Sequence, residues 1–235
     1  MTSLKHVVVG FCLLLAMLGG SISSHAQGES VLLAGTTAQW WQYALSIPTS
    51  VNPLLDPTGA DCMVGQRDPI WFLAGIFPGG TATRTCAVPA GEWLFFPVIN
   101  SVQINAPGVC GQTDSLNATQ LRSLAAPLID SATNMYVKVD GKSVKSLIRI
   151  KSDVFATTFP ADNIFNNPCG GPGTVPAGIY STSVDDGYYV LLKPLNSGSH
   201  TLHVHAESTG GFQLDVIYHL IVCSSGPAQV NACRG

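Results

Sequence analysis

The chain has 235 residues, of which 46% are hydrophobic and only 11% are charged. Eleven basic residues stand against 14 acidic ones, for a formal net charge of −3. That balance excludes the basic stripe of a nucleic-acid binder. The apolar content excludes a disordered chain and gives a single domain enough material for a core.

The first element is a targeting signal. A short polar start containing Lys5 leads into the apolar run Val7–Leu18, and Ser24-His25-Ala26 fits a small-x-small cleavage site. Residues 1–26 are therefore expected to be a signal peptide, and 27–235 a single secreted domain. The apolar run is about 12 residues, too short to span a bilayer, so no membrane span is expected after cleavage. Beyond the leader the cysteines are Cys62, Cys86, Cys110, Cys169, Cys223 and Cys233. An even number in an exported chain reads as a disulfide framework. Pairing of sequence neighbours is expected: Cys62–Cys86, Cys110–Cys169 and Cys223–Cys233. Location in the periplasm or the medium follows.

Along the mature chain the spacing predicts a helix over 36–47, capped by Thr36 or Thr37, with Trp40, Trp41, Ala44, Leu45 and Ile47 on one side. Short apolar runs at Pro69–Ala74 and Gly91–Ile99 predict buried strands. Residues 101–115 read as loop. A second helix follows, capped by Ser115, with Leu121, Leu124, Ala125, Leu128 and Ile129 on one face. Met135–Val139, the hairpin signal Asp140-Gly141 and the return Lys142–Ile150 predict paired strands, and Val154–Phe159 another. The stretch Pro160–Gly178 reads as a long loop. Asp186-Gly187 reads as a turn before the strand Tyr188–Leu195. Thr201–Glu207 and Phe212–Val222 alternate and meet around Gly210-Gly211. Many short strands with Gly and Pro turns predict a mainly-β fold, an antiparallel sandwich or jelly roll with two short helices, stapled by disulfides.

The chain resembles a family of secreted bacterial proteins with no assigned activity. The resemblance lies in Trp40–Pro48, Asn52–Asp56, Gly65-Gln66 with Trp71–Gly75, Val88–Gly91 with Phe95–Asn100, and Asp186–Leu192 with Gly198–His203. It implies a compact, secreted single domain and no particular chemistry.

Candidate chemistry concentrates near the C-terminus. In an alternating strand His203, His205 and Glu207 share a face, as do Asp215 and His219 in the next strand. With 205 opposite 215, the set His203, His205, Asp215 and His219 is a candidate zinc or copper site. The competing reading is an ordinary solvated polar face, and a third is a metal-free His–Asp proton-transfer pair. Trp40, Trp41 and Tyr43 could form an aromatic platform for a sugar or polymer, against the alternative that they pack in the core. Asp185 and Asp186 with Glu92 are a weaker candidate acid/base set, Asn52, Asp56 and Asp61 a candidate calcium loop, and Asn117-Ala118-Thr119 a glycosylation sequon. There is no Gly-x-Ser-x-Gly, no His-Glu-x-x-His, no phosphate-cradling loop and no dinucleotide fingerprint. The expected function is a ligand- or surface-binding module for a small molecule or polymer. The alternative is a metal-dependent extracytoplasmic enzyme, hydrolytic or oxidative.

Overall fold

The computed structural model describes residues 22–223. The expected signal sequence up to residue 21, and Cys233, lie outside them. The described elements are α1 (Ile22–Ser46), a short 3-10 turn (Thr49–Val51), β1 (Ile70–Phe72), β2 (Gly80–Pro89), β3 (Trp93–Ile104), α2 (Ala118–Asp130), β4 (Ala132–Val139), β5 (Lys142–Ser143), β6 (Ile148–Lys151), β7 (Phe155–Phe159), β8 (Gly178–Leu192), β9 (Gly198–Ser208) and β10 (Gln213–Cys223). Among the described residues no helix is long and apolar enough to cross a membrane.

The strands form two sheets, a mainly-β sandwich as expected. One runs β1-β3-β8-β6, with β7 also on β8; the other runs β2-β10-β9-β4-β5. The sheets are mixed rather than purely antiparallel, because β1 lies parallel to β3 and β2 parallel to β10. The β9–β10 hairpin has the anticipated register, with His205 opposite Asp215, His203 opposite Ile217 and Thr201 opposite His219. The inward residues Leu202, Val204, Ala206, Leu214, Val216 and Leu220 meet Leu94, Phe96, Val98 and Val190 of the facing sheet. That alternation fixes the register, because a one-residue slip would turn every apolar side chain to solvent.

The first sheet is buried on both faces. Its other side packs on α1 through Trp40, Trp41, Leu45, Phe95, Ile150 and Tyr189. The helix starts well upstream of the expected cap. Thr36 and Thr37 lie inside it and are buried, and the Thr37 hydroxyl donates to the Ala34 carbonyl at 3.0 Å, a local bond that a helix interior tolerates. At its other end Asn52 Nδ2 donates to the carbonyls of Ala44 (2.9 Å) and Ile47 (2.8 Å), satisfying acceptors that a helix terminus leaves open. Asn117, not Ser115, caps α2. Its side chain accepts from the Gln120 N–H at 3.0 Å while the Gln120 side chain accepts from the Asn117 N–H at 2.9 Å, a reciprocal capping box.

Three strands also differ from the expected pattern. The segment 80–89 is a full strand. β3 runs on to Ile104, through residues expected to be loop. The expected return strand Lys142–Ile150 breaks after Ser143, because Val144 and Leu147 turn into the core and the chain crosses to the other sheet as β6. The turn before it is as expected: Asp140 (φ 50°) and Gly141 (φ 76°) are both left-handed, as a two-residue hairpin loop needs.

Asp186-Gly187 lies in the middle of β8 and forms no turn. β3 is bulged between Pro97 and Ile99, so Val98 and Ile99 both face the inter-sheet core. A Cβ on Gly187 would stand 2.6 Å from Asn100 Cβ and 2.8 Å from the Tyr189 ring. The glycine serves close approach opposite the bulge.

Two disulfides match the expected pairs, Cys62–Cys86 and Cys110–Cys169. Cys223 is also disulfide-bonded, and Cys233, its expected partner, lies outside the described residues.

Arg84 joins the two halves of the sandwich. It is 1% exposed. Its Nε donates to the Asp56 carbonyl at 2.7 Å, and its Nη1 donates to the Ala74 carbonyl and the Tyr218 hydroxyl, each at 2.6 Å. The Tyr218 hydroxyl bonds Ala74 O in turn. Each buried acceptor left without its donor costs about 1–3 kcal/mol. Arg84→Met is therefore expected to lower the unfolding free energy by about 3 kcal/mol, summed over the orphaned groups. Urea unfolding measures this, and a loss below about 1 kcal/mol, the smallest cost of one orphaned group, would remove the clasp from the account.

Candidate functional site

The outer face of the second sheet carries the residues singled out near the C-terminus. β9 and β10 bring His203, His205 and Asp215 together. Asp215 bridges the two imidazoles, with Oδ1 2.9 Å from His203 Nε2 and Oδ2 2.8 Å from His205 Nδ1. Partial burial pushes the Asp215 carboxyl up, but the hydrogen bonds from His205 and His203 outweigh it and hold it below the usual carboxylate range. An ionised bridging carboxylate accepts, so His203 carries a proton on Nε2 and His205 on Nδ1. His205 Nε2 then faces the Asn134 amide at 3.3 Å and Glu207 Oε1 at 3.2 Å. Neutral His205 accepts from Asn134; protonated His205 donates to Glu207. Tyr136 of β4 stacks on the His205 ring, with centroids 4.7 Å apart. Asn134 reaches the imidazole from a left-handed conformation, φ 46°, at an irregularity in β4.

His219 does not join this triplet. It lies four residues along β10 from Asp215, about 13 Å by strand rise, opposite Thr201. Both Asp215 oxygens are occupied by imidazoles. Among the described residues no group of three or more His, Cys, Asp or Glu side chains is placed to hold a metal ion. The expected four-residue zinc or copper set is thus not assembled as a ligand cage. What stands in its place is a hydrogen-bonded His–Asp–His triplet on the outer face of the second sheet.

The aromatic helix is core. Trp40, Trp41 and Tyr43 are 1%, 6% and 8% exposed, so no ring face is offered to a sugar. Trp40 Nε1 donates to the Leu73 carbonyl at 3.0 Å, and Trp41 Nε1 to Asp185 Oδ1 at 2.7 Å. Asp56 holds its own loop, accepting from the Thr58 N–H and hydroxyl at 2.7 Å each and from the Asp61 N–H at 2.9 Å. Asp186 is engaged by Arg149, whose Nε and Nη2 reach its two oxygens at 2.9 and 2.8 Å.

Asp185 is the group that sequence reasoning undervalued. It is fully buried, and it accepts from Trp41 and, at 2.8 Å, from the Tyr189 hydroxyl. Asn100 Nδ2 donates to the same hydroxyl at 3.1 Å. Burial pushes the Asp185 carboxyl up to about 8, against the hydrogen bonds from Trp41 and Tyr189. The folded state therefore holds this proton over a range in which the unfolded chain has released it. The stabilisation is fully present below the unfolded value near 4 and is lost as pH rises toward 8. Between pH 5 and pH 8 the thermal midpoint is expected to fall in the wild type and to fall less in Asp185→Asn. Equal slopes in thermal melts of the two proteins would contradict the assignment.

A concave feature of the molecule lies elsewhere. A trough of about 530 Å³ runs beside the end of β3. Val102 and Ile104 of β3 form its floor, Leu121 and Leu124 of α2 one wall, and Phe159 and Phe165 the other. Asp114 is its one carboxylate, and no lysine, arginine or histidine among the described residues lines it. The Cys110–Cys169 disulfide lies in the lining and ties the 105–117 loop to the 160–177 loop. A second cavity of about 220 Å³ shares Val102 and Phe165 with the trough and continues past Asn100 and Trp41. Sequence reasoning saw the two loops and the disulfide between them. It missed the trough because it ended the strand that floors it at Ile99.

No protein-family model matches the chain, and no curated protein does. Among solved structures, "Solution Structure of Amebosin" aligns at 10% identity over 61% of this chain and 98% of that one, with a TM-score of 0.18.

Proposed function

We propose that the protein is an extracytoplasmic ligand-binding module whose site is the trough beside β3. One observation carries the reading: an apolar trough of about 530 Å³ whose facing loops are tied by the Cys110–Cys169 disulfide. That volume falls within the range of pockets that take small ligands, and a fixed wall reduces the ordering that binding requires. The lining selects an apolar body, and Asp114 favours a neutral or cationic end over an anionic one. Export through residues 1–26 belongs to the same reading, supported by the leader pattern and by the disulfides, which persist in oxidising compartments.

The test is titration with the neutral fluorophore N-phenyl-1-naphthylamine. Leu124 lines the trough yet is 54% exposed, so Leu124→Asp places a charge in the site with little loss of core. The expected result is at least a tenfold loss of affinity with an unchanged melting temperature, while Leu124→Met keeps the wild-type affinity. A wild-type protein that does not bind the fluorophore, or equal binding by Leu124→Asp, would sink the reading.

A further inference from the structure

The floor of the trough is an open strand edge. β1 pairs with β3 only at Trp93–Phe95. From Phe96 to Ile104, no strand among the described residues pairs with that side of β3. The direction of its free groups follows from the ladder on the other side. Asn105 N donates to the Thr182 carbonyl at 2.8 Å, continuing a register with Ile104 opposite Ser183 and Asn100 opposite Gly187. In an antiparallel pair, hydrogen-bonded and non-hydrogen-bonded positions alternate. Gln103 and Ser101 therefore point their N–H and C=O groups at β8. Ile104, Val102 and Asn100 point theirs outward, over about 13 Å of strand. Ile104 and Val102 face the trough, and Val102 and Asn100 face the cavity continuous with it.

An unpaired row of donors and acceptors inside an apolar trough matches one ligand chemistry. We propose that the trough binds an extended peptide segment, which adds to β3 as a further strand. The proposal rests on the trough being the binding site and names the class of its ligand. Main-chain hydrogen bonds to Asn100, Val102 and Ile104 supply affinity, and the cavities on either side of Val102 receive alternate side chains. The walls restrict the partner. Leu121 and Leu124 of α2 and Phe165 of the loop after β7 line the trough beside the edge, so a partner strand enters between side chains rather than against an open sheet. Pro97 and the bulge beside it close the upstream end, since proline has no N–H to offer and a bulge interrupts pairing. Apolar residues at alternate positions and a cationic end near Asp114 complete the fit.

The experiment uses a panel of acetyl-Lys-X-Thr-X-Thr-X-amide peptides, with X as Val, Leu or Phe, on the full secreted chain. At least one peptide is expected to displace N-phenyl-1-naphthylamine and to slow amide exchange at Val102 and Ile104 at least tenfold. N-methylation of alternate peptide nitrogens should weaken binding at least tenfold in one phase of the alternation and leave it unchanged in the other. Val102→Pro removes an outward N–H without breaking a bond to β8. It should lose peptide affinity at least tenfold, and an unchanged peptide affinity would count against strand addition. If the fluorophore binds and no peptide displaces it, or if both N-methylated phases bind like the parent, strand addition is overturned and the trough remains a small-molecule site. If neither probe binds, both readings fall.

Discussion

The missing N–H of Pro97 decides where β1 can stop pairing with β3. A strand lying beside β3 would ordinarily continue its ladder, and β1 enters correctly at Ile70 opposite Trp93. The Leu73 N–H still donates to the Phe95 carbonyl at 3.1 Å, but the next donor on β3 would be Pro97, which has no N–H, and beyond it the chain is drawn away. Trp40 Nε1 takes the Leu73 carbonyl, and the buried guanidinium of Arg84, with Tyr218, takes that of Ala74. Side-chain donors thus satisfy the carbonyls of the departing segment. Arg84 sits on β2 and Tyr218 on β10, so the same clasp draws the segment toward the second sheet. β3 then continues for nine residues, Phe96 to Ile104, with no strand among the described residues on that side.

The bulge at Pro97–Ile99 sets what that exposed run presents. By turning two successive residues into the inter-sheet core, it reverses the phase of the strand. Asn100 is thereby delivered to Tyr189 and the buried Asp185, and Val102 and Ile104 to the α1 side. Gly187 is the counterpart on β8, where any Cβ would collide with Asn100 and Tyr189. The buried acid network and the floor of the trough therefore depend on one backbone irregularity. Walls around that floor come from parts distant in sequence, α2 and the loop after β7, and the disulfide from Cys110 to Cys169 fixes one against the other.

Much of the fold was legible. The strict alternation of Thr201–Glu207 and Phe212–Val222 gave both strands, their apolar faces and their register. Asp140-Gly141 gave its turn, and neighbour pairing gave two disulfides. The misses have physical causes. β2 was overlooked because its inward positions are Ala82, Arg84 and Cys86, and an inward arginine makes a half-buried strand read as polar. Asp186-Gly187 looked like a turn because Gly was read for its backbone freedom, when its lack of a side chain was the point. The helical caps were misplaced because Thr37 could bond within the helix and Asn117 was read only as a sequon. Of the candidate site, His203, His205 and Asp215 were placed together correctly by register. Tyr136 and Asn134, which complete the cluster, come from β4, and no local pattern announces which strand flanks β9. The trough was out of reach for a similar reason: it exists only once β3 is known to outrun β1.

The central claim is the open edge itself, and amide exchange in the ligand-free protein reads it residue by residue. Val102 and Ile104 should exchange at least tenfold faster than Ser101 and Gln103, whose N–H groups are held by β8. That alternation along one strand is the signature of a ladder bonded on a single side. Uniformly slow exchange from Asn100 to Ile104 would mean that the edge is covered, and the account of the site would fail with it.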